Sequence, residues 1–269
     1  MKRHADRLVD IQFDEPLEPA VLRLIDLLAE SALALRPVRD SDAALESLYA
    51  SRGFRLYPTV RKTTLFYDRA SDCFLKILHP LKLKEKTASL ITNRARRIHA
   101  LSEWLRNRGV RVSRVRAFGK IREGSKPFFA IDRVEGQSLY DILIREQRTI
   151  PFELWRKVVD GVAALHGLGY WFGDSHLSHI FVRDGEVSGF IDIDAIRRNR
   201  PFRASNLARD IAGLNHPRLL LESRDKESLL RYYAGQMKLK DEQAFRDMIK
   251  DCSRRRWRAH SRANAETEP

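Results

Sequence analysis

Cysteine is scarce in this chain: two among 269 residues, Cys73 and Cys252, far apart and in no CxxC pair. Neither a zinc site nor a disulfide framework follows, which suits a reducing compartment. Long apolar runs are missing too. No stretch reaches the length of a secretory signal core or a membrane span, so the sequence reads as soluble or peripheral rather than integral. Glycine-rich phosphate loops are absent: Ser51-Arg-Gly-Phe offers a single glycine where GxGxxG would be sought. No internal repeat is visible. Helix-turn-helix, RNP and aromatic-interleaved basic signatures are lacking, and no nucleic-acid partner is expected.

What the chain does have is positive charge. Fifty Lys and Arg against 36 Asp and Glu give +14, on an ordinary globular balance of 43% hydrophobic and 32% charged residues. Such a field favours anionic partners, among them acidic membrane surfaces and phosphorylated or carboxylated substrates. Arginine concentrates near the end, in Ser253-Arg-Arg-Arg-Trp-Arg-Ala-His, where guanidinium forks suit phosphate. Any single cluster is explained as well by a solvated basic face.

Hydrophobic spacing divides the chain into three. Residues 1–50 read as an N-terminal appendage whose helix, over 17–36, carries Val21, Leu24 and Leu28 on one face. Residues 51–136 read as a β-rich lobe. Its strands lie near 53–57, 63–67, 73–78, 115–121 and 128–134, with one helix over 85–108 ended by Gly109. After Glu135-Gly136 the chain, 137–269, reads as mostly helical. Ser138 caps a short helix there, and Leu154, Val158, Val162 and Leu165 line another that begins near Pro151. Helices near 205–214, 218–233 and 240–258 precede a frayed tail. The expected class is α+β.

The segment 170–194 carries the chemistry. Asp174 precedes His179 by five positions; an apolar triplet follows, then a turn at Asp184-Gly185, then a second apolar run ending in Asp192. That is a loop and a hairpin returning a second carboxylate beside the first, a layout that places a base near a metal-binding acid. Alone, Asp174 is explained better by a turn, which Asp favours. Paired with Asp192 it becomes a candidate to accept a hydroxyl proton, with Asp192 as an oxygen ligand for Mg²⁺. His179 is a second metal ligand, a phosphate contact or a loop brace, and His176 orients Asp174 or lines the acceptor site. Asp174, His176 and His179 also suit a transition-metal cluster, but one short loop supplies few ligands.

Lys76, in the apolar strand Phe74-Leu-Lys-Ile-Leu, is a candidate for nucleotide phosphates; the plain alternative is an edge-strand lysine facing water. Its acidic partner is not evident, with Glu85 and Glu103 the nearest candidates. Arg61 and Lys62 are candidates to cover the phosphates. The backbone of Arg133, Val134 and Glu135 is a candidate hinge for an adenine edge.

Taken in order, Arg61-Lys-Thr-Thr-Leu-Phe, Phe74-Leu-Lys-Ile, Leu105-Arg-Asn-Arg-Gly-Val, Asp132-Arg-Val-Glu-Gly, Asp174 with His179, Phe190-Ile-Asp and Leu207-Ala-Arg-Asp-Ile-Ala-Gly-Leu resemble the bacterial lipopolysaccharide kinase family of core heptose and Kdo kinases. The resemblance implies a protein-kinase-like two-lobe fold, with Lys76 anchoring ATP, Asp174 as catalytic acid–base and Asp192 holding Mg²⁺. It further implies an acceptor hydroxyl on a lipopolysaccharide core sugar, at the cytoplasmic face of the inner membrane.

Overall fold

The structure is a computed structural model and describes residues 1–31, 42–57, 59 and 62–265, with side chains up to Arg258. It comprises two compact units. The first holds Met1–Arg106 and Ser113–Arg133, the second Asn107–Val112 and Val134–Pro269. The expected α+β class is borne out: a β-rich first unit and a largely helical second.

The first unit is built on an antiparallel sheet of β1 (Lys2–Ala5), β2 (Val9–Phe13), β3 (Phe54–Tyr57), β4 (Thr63–Asp68), β5 (Cys73–Leu78), β6 (Val115–Ile121) and β7 (Lys126–Asp132). Their order across the sheet is β1-β2-β6-β7-β5-β4-β3. Period-two patterning makes β2, since Val9, Ile11 and Phe13 are buried while Gln12 is exposed. Helices α1 (Glu18–Glu30) and α2 (Ala43–Ala50) cover one face. Val21, Leu24 and Leu27 of α1 and Leu45 and Tyr49 of α2 pack with Phe66, Leu75, Ile77 and Phe128. Each such side chain contributes about 1.5–3 kcal/mol on burial. Residues 1–50, set apart by their sequence as an appendage, thus supply two strands and a helical layer to the same unit as 51–106. The outer part of the helix expected over 17–36 lies outside the described residues, as does Arg61.

The single helix expected over 85–108 is two: α3 (Leu83–Ile91) and α4 (Arg94–Arg106). Thr92 is extended, and the Asn93 side chain accepts the Arg96 amide at 3.1 Å, starting a new helix. Helix α4 buries Ala95, Ile98, Ser102 and Leu105. His99 lies against Phe118, ring centroids 4.4 Å apart. Phe118 pairs with Phe129 across β6–β7, and Phe129 with Lys76 across β7–β5. Lys76 therefore sits on the face that α4 covers, opposite to the core beneath α1 and α2.

The second unit joins a three-stranded sheet, β8 (Gln137–Ser138), β10 (Ile180–Arg183) and β11 (Glu186–Phe190), to a two-stranded ribbon, β9 (Tyr170–Trp171) with β12 (Arg197–Arg198). Its helices are α5 (Phe152–Gly167), α6 (Ala204–Leu214), α7 (Ser223–Gln236) and α8 (Glu242–Ala265). The Ser138 hydroxyl accepts the Asp141 amide at 3.1 Å and opens the short helix expected there. Leu154, Val158, Val162 and Leu165 of α5 are all buried. Among the described residues no helix is long and apolar enough to cross a membrane.

Candidate active site

The loop Phe172–His179 is held from below by one buried carboxylate. Asp210, on α6 and 1% exposed, accepts the Phe172 amide at 2.5 Å and the Gly173 amide at 3.2 Å. It also bonds the His166 ring through Nε2 at 3.0 Å. The other ring nitrogen of His166 lies 2.6 Å from the buried Tyr233 hydroxyl. Burying a carboxylate costs stability unless its oxygens are filled; here two backbone donors and an imidazole fill them. The loop also needs two glycines. Gly173 has φ +81°, and a Cβ there would meet the Ala195 carbonyl oxygen at 2.5 Å. A Cβ on Gly213 of α6 would come within 2.2 Å of the Ser175 carbonyl oxygen.

This clamp presents the Asp174 side chain outward, 67% exposed. From α8, the Arg256 guanidinium donates to Asp174 Oδ1 at 3.3 Å and lies over the Trp257 ring. His179 closes the loop by donating from Nδ1 to the Asp174 carbonyl oxygen at 3.0 Å. That bond fixes the tautomer and leaves the Nε2 lone pair for a cation or another donor.

His176 is a different kind of residue. Its Nδ1 accepts the Ser178 amide at 3.2 Å and lies 2.8 Å from the Ser178 hydroxyl, capping the short turn Leu177–His179. Burial pushes its pKa down to about 4, with His179, Arg256 and His216 pushing the same way and Asp174 opposing. The ring is therefore neutral at pH 7, and the bonds it makes brace the loop through Ser178.

The hairpin β10–β11 turns at Asp184-Gly185, both with positive φ, and pairs Ile180 with Phe190. The Ile191 amide donates to the His179 carbonyl at 3.0 Å. The hairpin so returns the chain to the level of His179 and delivers Asp192 one residue later. Asp192 is left-handed, φ 64° and ψ 41°. Asn and Asp are the non-glycine residues that enter this region most readily, though at a cost. Asp174, His176, His179 and Asp192 thus share one end of the second unit. No group of three or more His, Cys, Asp or Glu is gathered for a metal among the described residues. Of the two residues expected to hold a metal, Asp192 offers the oxygen donor that Mg²⁺ prefers, whereas the His179 imidazole is the less suited donor.

Lys76 and Arg133 belong to the first unit. Lys76 lies on β5 with its ammonium 5.9 Å from the Phe129 ring centroid. Of its candidate acids, Glu85 is engaged elsewhere: it accepts the Leu81 and Lys82 amides at 3.0 and 3.2 Å and pairs with Lys62 at 3.0 Å. The backbone bond to Lys82, then the Lys62 bond, hold its pKa down to about 2. Glu103 rides on α4, the helix over the lysine's face, and its Oε1 is buried with no hydrogen-bond partner among the described residues. The boundary between the units falls at Arg133–Val134, inside the expected hinge. There the Arg133 amide donates to the Asp72 carbonyl at 3.2 Å, and the Glu135 carbonyl accepts the Ser188 hydroxyl at 2.6 Å. The Arg133 amide is thereby taken, while the Glu135 carbonyl keeps a second lone pair. The Glu135 side chain pairs with Arg183.

Sequence reasoning did not single out His166, Asp210 or Arg256 as site residues. A signal existed for Asp210, an acid among the apolar positions of α6. None existed for Arg256, one arginine within a run.

A cavity of about 680 Å³ lies in the same unit, lined among others by His216, Lys226, Arg254, Trp257 and Arg258. His216 faces the Trp257 ring at 4.9 Å and the His176 ring at 6.4 Å. No carboxylate lines it among the described residues.

Residues 81–172 match the model of the APH phosphotransferase enzyme family, about a third of the chain. The likeness is to kinase-like phosphotransferases. Among solved structures the chain is similar to WbdD in complex with the kinase inhibitor LY294002. That match has 16% identity and a TM-score of 0.47, and covers 76% of this chain and 47% of the other. It is similar also to the bifunctional kinase-methyltransferase WbdD, at 14% identity and a TM-score of 0.46, covering 80% and 50%. The chain spans about half the length of these proteins. No curated protein matches it.

Proposed function

We propose that this chain is an ATP- and Mg²⁺-dependent kinase that phosphorylates a sugar hydroxyl of lipopolysaccharide core, heptose or Kdo. One observation carries the reading. A carboxylate, Asp174, is held out to solvent on a loop clamped by a buried acid, and a hairpin brings Ile191, next to Asp192, back to His179 at the end of that loop. In that role Asp174 accepts the proton of the acceptor hydroxyl as its oxygen attacks the γ-phosphorus. The bond from phosphorus to the bridging oxygen of ADP breaks in line. Asp192 and His179 would hold a divalent cation, which would supply charge neutralisation at the phosphates. Arg256 steadies the Asp174 carboxylate, and Lys76 is the residue for the α- and β-phosphates. No covalent enzyme intermediate is required; positioning and electrostatics supply the rate.

The cavity lined by Lys226, Arg254, Trp257 and Arg258 supports an anionic sugar, with the indole for the sugar face and guanidinium groups for carboxylate or phosphate. The same cations disfavour a polycationic antibiotic acceptor. The test is Asp174→Ala, assayed with Mg-ATP and core oligosaccharide. Transfer should fall about 10²–10⁴-fold while nucleotide-dependent thermal stabilisation persists. Full activity in that variant overturns the reading. Transfer by the wild type to small soluble acceptors alone replaces the acceptor.

A further inference from the structure

Helix α3 hides the wrong residue for a core helix. Of its nine residues only Ser89 is buried, whereas Leu83, Leu90 and Ile91 are 77%, 70% and 86% exposed, and Leu81 just before it 47%. At 3.6 residues per turn Leu83, Thr87 and Leu90 share one face and Ile91 adjoins it, with Lys84 on one flank and Lys86 on the other. The inner face carries Ser89 and Glu85. Glu85 is occupied by Lys62 and by the first-turn amides, so it does not offset the lysines of the outer face. The helix is fastened at its end: Lys120 and Ser125 donate to the Ser89 carbonyl, the latter at 2.9 Å. Its leucines are therefore presented on a fixed support.

An apolar stripe flanked by lysines matches the interface of an anionic bilayer, where side chains of this kind enter the acyl boundary and ammonium groups reach the headgroups. Beside the helix a cavity of about 430 Å³ is lined by His79, Pro80, Leu81, Lys86, Leu90, Gly124 and Lys126. It combines apolar walls with two lysines, the chemistry of a phospholipid headgroup joined to its chains. Glu123, next to Gly124, is the acid whose field reaches Lys126. The chain's +14 charge draws the whole molecule the same way.

We infer that α3 and the adjoining cavity dock this protein on an anionic phospholipid surface, through Leu83, Leu90 and Ile91 inserted and Lys84 and Lys86 at the headgroups. The inference does not rest on the kinase reading, because docking is measured without nucleotide. The full chain is sedimented with vesicles of phosphatidylcholine alone and of phosphatidylcholine with phosphatidylglycerol, and its mass is measured without lipid. Wild type should bind the anionic vesicles at least tenfold better. Leu83→Ser/Leu90→Ser/Ile91→Ser should weaken that binding at least tenfold with an unchanged melting temperature, and Lys84→Gln or Lys86→Gln by roughly fivefold each. Absence of binding, equal binding to both vesicles, or undiminished binding by the triple serine variant each overturns the inference. So does self-association through α3 in the absence of lipid.

Discussion

The loop Phe172–His179 and helix α3 are similar in length, and both are bordered by basic residues, yet they are held by opposite means. The loop takes its backbone bonds from a carboxylate that is 1% exposed, and a ring from its own far end closes it. Helix α3 buries one serine and is fastened by a capping glutamate at its start and by Lys120 and Ser125 at its end. Buried charge is expensive, so its presence under the loop marks where a side chain must be aimed. Exposed leucine costs little in a folded chain, so its clustering on α3 marks a surface left for something else.

The sharpest way to break the contrast is to remove the clamp. Asp210→Ala leaves the Phe172 and Gly173 amides and the His166 ring without their acceptor. At about 1–3 kcal/mol for each buried donor so stranded, the loss should be on the order of 4 kcal/mol. It is read as a fall in the urea midpoint, with phosphoryl transfer abolished alongside.

Next in size is a comparison of α3 with its sequence neighbour. Ile98→Ala on α4, at a position 5% exposed, should cost about 2–5 kcal/mol. Leu90→Ala on α3, at 70% exposed, should stay within about 0.5 kcal/mol. Denaturant titration of both decides it, and equal costs would mean that α3 is packed.

Much of this was legible beforehand. Strands β3 to β7 follow from apolar runs bounded by Gly53, Pro58 and Asp72, and the hairpin follows from Asp184-Gly185. The β1–β2 pair is hard to see in the sequence because Asp6, Asp10 and Asp14 intersperse acids through the segment, although Val9, Ile11 and Phe13 alternate as a half-buried strand does. The break between α3 and α4 is masked in the sequence by the helical periodicity of α4, and its signal is only Thr92-Asn93, a capping pair. The stretch 170–194 was readable because loop, hairpin and acids are consecutive. The support of that loop was not, since Asp210 and Arg256 arrive from positions 36 and 82 residues beyond Asp174. Only folding brings such distant partners together.

A smaller effect tests the close approach of α6 to the loop. Gly213→Ala sets a methyl group 2.2 Å from the Ser175 carbonyl oxygen, and overpacking of this kind costs about 1–3 kcal/mol. Gly167→Ala, where nothing lies within 4 Å, should instead be neutral or gain up to about 1 kcal/mol of helix propensity. Differential scanning of the two variants separates contact from backbone effects, and equal shifts would place Gly213 outside the loop's support.

The mildest expectation concerns acid, and it draws one residue from each region. His79 lies in the first unit at the entrance to α3, 5% exposed and 2.8 Å from the Thr64 hydroxyl; burial, then Lys126, push its pKa down to about 4. His176 in the loop is pushed to about 4 as well. The sign follows from the proton count. Between the ordinary histidine value near 6.5 and about 4, the unfolded chain binds these protons and the folded chain does not. Stability should therefore decline as pH falls through that window and level off with respect to these groups below it. His79→Gln should flatten the decline measured by melting temperature between pH 7 and 5 without altering transfer at pH 7. His176→Gln should flatten it too, but should also slow transfer, because the bond to the Ser178 amide that holds the Asp174 loop passes through this ring. If both variants leave the acid slope untouched, the two rings are already solvated and the loop is not braced through His176.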